Sequence, residues 1–289
     1  MRRKDRTSIR LCPVWFWAVL VAVGIETPTV SLASDYLPAW DTQCGRGSDV
    51  AEGCAAVKAR KVVDSTLAPW RAVGRINVAG VKNRSHCTGT LLGKSLVATA
   101  AHCLFVHAQK RWASPGEIHF VAGARPGGFA AHAKAARYHL SPTYDTGSHS
   151  FTYRPVDDWA VIELAKPLGA TVGFLNWSTP TQVTLKNAQV VIAGYPAVRP
   201  HALSVDYNCG QAQFRDNGKL LAQRCATMKG DSGAPILLLK GNITTLIAVH
   251  SGGVATDNGD VTPVSTPVSA FAEILKRLSA RPAVPHEAK

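Results

Sequence analysis

An all-β fold closed by one C-terminal helix is what this sequence predicts, and two patterns carry that reading. From Trp70 onward, short apolar runs such as Arg75–Val81, Glu117–Ala122, Gln189–Ala193 and Thr245–Val249 are punctuated by Gly, Pro, Asn and Asp. Short strands at regular spacing, bounded by turn residues, build barrels or sandwiches. Helical spacing is convincing only near the end, where Phe271, Ile274, Leu275 and Leu278 recur along Ala270–Leu278 and Ser269 stands at the capping position. The chain has 289 residues, and single all-β units of more than roughly 200 residues are common.

The first residues do not belong to that fold. Arg2, Arg3, Lys4, Arg6 and Arg10 form a basic head, Leu11–Ile25 an apolar run, and Ser31-Leu32-Ala33 a small-residue cleavage site. This is the pattern of a secretory signal over residues 1–33, and the run is short for a bilayer-spanning helix. Of seven cysteines, Cys12 leaves with the signal, and an even set remains for an oxidising compartment. Proximity along the chain pairs Cys44 with Cys54, Cys87 with Cys103 and Cys209 with Cys225, although sequence alone leaves other connectivities open. No CxxC occurs, so a zinc site is not expected. His132, His139 and His149 lack the spacing of a ligand set and read as surface loop histidines; residues 256–260 read as a turn, and residues 281–289 as a frayed tail. The net charge of +13 falls to about +10 after signal removal and favours acidic partners. The basic residues are scattered and accompany no nucleic-acid motif.

Three short strings carry the chemistry: TAAHC ending at Cys103, DDWAVIEL around Asp158, and GDSGAP around Ser232. Taken singly, each has an ordinary explanation: a core histidine, a solvated carboxylate, a turn. Together, and each beside an apolar strand (Ser95–Ala101, Trp159–Leu164, Ala234–Leu239), they supply a base, a carboxylate and a nucleophile. A serine hydroxyl needs a base within hydrogen-bond reach, and the base needs a buried acid to fix its tautomer and stabilise the imidazolium. His102, Asp158 and Ser232 fill those roles, with Asp157 as competitor for the acid. The order His, Asp, Ser distinguishes this set from triads on other folds, and Ala234 stands where the Gly-x-Ser-x-Gly of an α/β-hydrolase needs its last glycine.

From Val62 to Ala280 the chain resembles the chymotrypsin-like, trypsin-fold serine peptidases. Cys87 and Cys103 have the spacing of the disulfide that braces the family's histidine loop. CTGTLLGKSLVATAAHC resembles its strand–turn–strand, and Gly230–Pro235 is similar to its GDSGGP, with Ala234 in place of a glycine. The family pattern Asp-x-Ala-x-x-x-Leu fits Asp158, Ala160 and Leu164, leaving Asp157 exposed. The resemblance implies two antiparallel Greek-key β-barrels packed together, about 62–167 and 168–267, with a C-terminal helix at about 269–280 and the triad between the barrels. It implies an oxyanion hole from the backbone N–H groups of Gly230 and Ser232, and a substrate-pairing edge at Ser251-Gly252-Gly253.

It also implies an activation junction. Residues 34–61 are polar and end Lys58-Ala59-Arg60-Lys61, followed by Val62-Val63. A propeptide cut between Lys61 and Val62 would free an ammonium to pair with Asp231 and order the oxyanion hole. For specificity, Ala226 stands where a trypsin-type acid would be, whereas Thr227 and His250 resemble the pocket of bacterial glutamyl endopeptidases. A hydroxyl and an imidazolium suit a carboxylate side chain. The expectation is a secreted or periplasmic serine endopeptidase acting on proteins or peptides, with substrate-binding residues Thr227, His250, Ser251 and Gly252. It needs no cofactor or metal, an activating protease, no specific nucleic acid and no membrane after signal removal, and it works as a monomer. The alternatives are a catalytically silent exported binding module and a serine peptidase of non-acidic preference.

Overall fold

The computed structural model describes residues 36–38, 51–79, 84–186, 188–255 and 261–280. The signal segment 1–33, the Cys44–Cys54 pairing, the 256–260 turn and the 281–289 tail lie outside them. Six strands close into a barrel in the order Ala160–Leu164, Leu96–Thr99, Arg84–Leu91, Val73–Ala79, Ile118–Ala122, Ala131–Leu140, with the last strand pairing back onto the first. The alternation that predicts these strands is visible in their burial: Ile118, Phe120 and Ala122 point into the barrel and His119 and Val121 are half-buried. Ile76, Leu91, Val97, Phe120 and Ile162 fill the interior.

The second β unit is a ten-stranded sheet centred on the long strand Ile243–Ala255, flanked by Pro235–Lys240 and Val261–Pro267. Its pairings are antiparallel except for Asn176–Trp177, which runs parallel to the long strand. Val190, Ile192, Ile236, Leu221 and Ile247 form its apolar core, closed on one side by the Cys209–Cys225 disulfide. The Cys87–Cys103 disulfide is also formed. The terminal helix spans Ala272–Ser279 and buries Ala272, Leu275 and Leu278; Phe271 packs on Trp159 with ring centroids 5.7 Å apart. Ser269 does not cap it, because Val268–Ala270 forms a separate 3-10 turn and the helix begins after Phe271.

The end of the segment read as a propeptide is built into the fold. Ala51–Ala59 is helical, and Val57 is fully buried. The next residues, Lys61–Val62, form a short strand that extends the second sheet by pairing with Ser204–Asp206, Val62 opposite Ser204 and Lys61 opposite Val205. The physical reason is an unmet edge: Ser204–Asp206 would otherwise expose a row of unpaired backbone groups. Arg199 reinforces the docking by donating to the backbone carbonyls of Arg60 and Lys58, at 3.1 and 2.5 Å. Those carbonyls close the last turn of the helix, where intrahelical partners run out.

Because Val57 buries its whole side chain here, Val57→Ser should lower unfolding free energy by roughly 1.5–3 kcal/mol. Urea titration measures this, and a segment contributing nothing to the fold would leave the midpoint unchanged.

Candidate active site

The barrel register brings base and acid together. Ala160 sits opposite Thr99 on neighbouring antiparallel strands. Asp158, just before one strand, and His102, just after the other, therefore emerge at the same end. The strand carrying the histidine gives way to a 3-10 turn, Ala101–Leu104, tied to the barrel by Cys103. Within that turn the His102 backbone N–H donates to Asp158 Oδ1 at 2.9 Å, and His102 Nδ1 meets Asp158 Oδ2 at 2.8 Å. A carboxylate only accepts, so Nδ1 carries the proton and Nε2 presents its lone pair. That is the tautomer a general base requires.

Asp158 has no exposed surface and accepts a third bond, from Ser251 Oγ at 2.5 Å. Ser251 in turn contacts the Tyr153 hydroxyl at 2.9 Å, and Tyr153 sets its ring edge-on to His102, 6.1 Å between centroids. Ser251, expected among the substrate-binding residues, is fully buried, and its hydroxyl helps hold the Asp158 carboxylate. Asp157, expected to be exposed, is partly buried and accepts from Ser141 Oγ and Arg154 Nε, both at 2.9 Å.

Ser232 lies in a tight turn that leads into the strand Pro235–Lys240. Asp231 N–H donates to the Met228 carbonyl at 3.0 Å, and Ala234 N–H to the Asp231 carbonyl at 2.8 Å. Thr88, next to the disulfide, anchors the turn twice: its N–H donates to the Ser232 carbonyl and its Oγ1 to the Gly230 carbonyl, each at 2.8 Å. Gly233 has φ +75°, and a Cβ there would collide with Thr99 and Thr88 and lie 2.8 Å from the Ala100 nitrogen. Glycine is thus what lets the serine turn press against the strand end that delivers His102. Gly230, at φ +98°, is hemmed in by Tyr195 and His86.

Among the other expected residues, Thr227 is buried in the loop between Cys225 and the serine turn, and Gly252 lies on the long strand beyond a bulge between His250 and Gly252. Residues Tyr36–Pro38 run antiparallel along that strand, Leu37 opposite Gly253 and Pro38 opposite Gly252. His250 is fully buried, with the Val264 backbone as the hydrogen-bonding neighbour of its ring. Burial above all, with the neighbouring His102 adding to it, pushes its imidazole down to about 3. It is therefore neutral at neutral pH, not the imidazolium the sequence reading supposes. Lys61 and Val62 are exposed on their short strand. Asp231 faces the Arg60 guanidinium, at 2.8 Å, and not the Val62 nitrogen.

Cys87 and Cys103 sulfurs cluster with His102 within 4.8 Å, but both are consumed by the disulfide and offer no thiolate to a metal. His132 stacks on His119, His139 contacts Glu163 at 2.7 Å, and His149 faces the Lys110 carbonyl at 3.1 Å. Two residues of this site escape sequence reasoning, and of a third, Ser251, the sequence shows the place on the Gly-Gly edge but not the bond to Asp158. Thr88 reads as an ordinary strand residue. Arg60 reads as protease-site context within Lys-Ala-Arg-Lys.

Two β units, a terminal helix, and a glycine-flanked serine turn packed against the strand end that delivers a His–Asp pair define a protein of the trypsin class. Residues 64–275 match the sequence profile of the family described as Trypsin, and the chain belongs to that family. A glutamyl endopeptidase of Bacillus licheniformis is 28% identical over 204 residues, covering 67% of this chain and 58% of the relative's length. A solved structure described as Glu endopeptidase in complex with MPD superposes with a TM-score of 0.59 at 23% identity, covering 77% of this chain and 97% of that one. Protease Anisep from Arthrobacter nicotinovorans gives a TM-score of 0.58 at 18% identity, covering 77% of this chain and all of that one.

Removing the Ser251 donor should weaken the hold on Asp158 by the worth of one bond to a charged group, about 1.5–3 kcal/mol. Ser251→Ala is expected to lower kcat on a peptide substrate by roughly 10–100-fold with little change in KM. An unchanged kcat would show that the bond does not matter. A second expectation concerns pH. Because the folded His250 stays neutral well below the ordinary histidine range, the unfolded chain takes up a proton that the folded chain refuses as pH falls from about 6.5 towards 3. Stability contributed above that window is lost through it, at up to about 1.4 kcal/mol per pH unit. His250→Asn should flatten the pH dependence of the urea midpoint relative to wild type over that range; identical slopes would contradict the buried neutral state.

Proposed function

We propose that this chain is an exported serine endopeptidase that cleaves through an acyl-enzyme on Ser232, with His102 as general base and Asp158 as its orienting acid. The Asp158–His102 arrangement carries the reading: a buried carboxylate fixes Nδ1–H and leaves Nε2 to accept a proton. Ser232 Oγ attacks the scissile carbonyl carbon as His102 Nε2 takes its proton. The oxyanion is met by the backbone N–H groups of Gly230 and Ser232, each such donor being worth about 3–4 kcal/mol of barrier. The imidazolium, stabilised by Asp158, then protonates the leaving amine, and water repeats the cycle on the ester. No cofactor takes part. The pairing of Tyr36–Pro38 along Gly252–Val254 supports an extended peptide as substrate, since this edge accepts a strand through backbone bonds alone. A paired disulfide set and the basic, apolar leader support an extracytoplasmic location; among the described residues no helix is long and apolar enough to cross a membrane.

Acidic preference before the scissile bond follows from His250 and Thr227. His250 is a buried imidazole with no side-chain partner for its ring nitrogens among the described residues, and Thr227 adds a buried hydroxyl. The neutral ring still offers one N–H, and a carboxylate arriving beside it favours the protonated form, so binding would supply the charge that burial denies the empty pocket. The name of the Bacillus licheniformis relative supports the same preference.

A fluorophosphonate probe applied to the exported protein should label Ser232, with labelling lost in Ser232→Ala and His102→Ala. Absence of labelling in processed wild type would favour a binding module instead. A peptide library varying the residue before the cleaved bond should show Glu or Asp turned over at least tenfold faster than Leu or Lys. Equal turnover would leave the triad standing and remove the acidic pocket.

A further inference from the structure

We propose that Arg60 is the positioning residue that holds the oxyanion turn in its working shape, so that the competent enzyme retains Arg60 instead of beginning at Val62. The inference rests on the peptidase reading above and deepens it. Asp231 sits between the two oxyanion donors, Gly230 and Ser232, and its side chain has no exposure. An ionised carboxylate placed there must be paired and hydrogen-bonded. Arg60 supplies the cation: one guanidinium nitrogen lies 2.8 Å from Asp231 Oδ2 and 3.5 Å from the Ala226 carbonyl, and the other donates to the Ser204 carbonyl at 2.6 Å. The Met228 N–H donates to the same carboxylate oxygen at 3.1 Å. One fork thus ties the serine turn, the loop before it and the strand Ser204–Asp206 to a single fixed charge.

The space around Asp231 is filled. Arg60 has no side-chain exposure, and on the other side a Cβ on Gly194 would collide with Asp231 Oδ1. Val62 is 51% exposed and is paired with Ser204. For a freed Val62 ammonium to reach Asp231, that strand pairing would have to break and the guanidinium would have to be expelled. Cleavage between Lys61 and Val62 would also separate Arg60 covalently from the domain it organises. It would then be held by non-covalent contacts alone, among them Val57 burial, the two Arg199 bonds, the Lys61–Val205 pairing and its own guanidinium bonds. The electrostatic task a new N-terminus would perform is already met within the continuous chain, and any processing that matures the enzyme falls on the amino-terminal side of Arg60.

The test begins with the exported protein as the cell processes it. After fluorophosphonate labelling, N-terminal sequencing and intact mass should find Arg60 retained in every labelled chain; labelled chains beginning at Val62 would overturn the inference. Arg60→Ala, made in the full-length chain, should lower kcat about 100-fold or more, the scale of a lost oxyanion donor, with KM changed by less than about threefold. Arg60→Lys should return kcat to within about tenfold of wild type, since an ammonium restores the charge but not the two-sided fork. Wild-type kcat in Arg60→Ala would overturn the proposal. Should Arg60→Ala fail to accumulate, the Arg60→Met/Asp231→Asn double variant removes the buried charges together. Low kcat at wild-type thermal stability then supports anchoring by the ion pair, and full kcat refutes it. Wild-type protein that never labels would sink the peptidase reading, whereas equal labelling of wild type and Arg60→Ala would sink this proposal alone.

Discussion

The carboxylate of Asp158 is the constraint on which the site depends. A charge with no access to water is tolerable only when donors surround it, and here the donors come from different parts of the molecule. Two are on the histidine turn of the six-stranded barrel, and the third is Ser251 on the long strand of the second sheet. Satisfying this one group therefore fixes the imidazole and also fastens one β unit to the other. Asp231 poses the same problem a short distance along the serine turn, and the solution again reaches across the sequence, to Arg60. Burial raises the Asp231 carboxyl above its usual range, and the Arg60 charge offsets part of that rise.

Much of this was legible in the sequence because strand order and local motif coincide. The apolar runs at Glu117–Ala122 and Gln189–Ala193 became strands nearly as read, since their alternation matches a surface buried on one face. His102 and Asp158 could be linked in advance because each abuts such a strand. What was not legible were residues whose role is defined only by a partner far along the chain. Arg60 and Asp231 are 171 positions apart, and an arginine among lysines carries no sign of a buried destination. Ser251 looks like a member of the glycine edge until the bulge at His250 turns it towards Asp158. His250 was found as a pocket residue, but its charge state was not, because sequence gives residue type and not dielectric surroundings.

The departures from sequence expectation share a cause. Sequence-local rules assign a polar, basic stretch such as Lys58–Lys61 to solvent, and assign Ser269 to a helix cap. The fold overrides both where a stronger demand exists: an open strand edge at Ser204–Asp206 recruits Lys61–Val62, and the apolar face of Phe271 sets where the last helix begins. Glycines make the opposite contribution. Gly233 and Gly194 matter for what they leave out, giving the serine turn room to approach Thr99 and giving Asp231 room beside the strand backbone.

The Cys87–Cys103 bridge occupies a more central position than a loop brace would. Cys103 directly follows the imidazole-bearing residue, and Cys87 directly precedes Thr88, the residue that grips the nucleophile's turn from both sides. One sulfur–sulfur bond is therefore common to the mounting of His102 and that of Ser232. Reductants that open it would loosen both mountings at once, while the six-stranded barrel around them keeps its hydrogen-bonded ring. The thiol chemistry of the surroundings thus reaches both turns through a single covalent link.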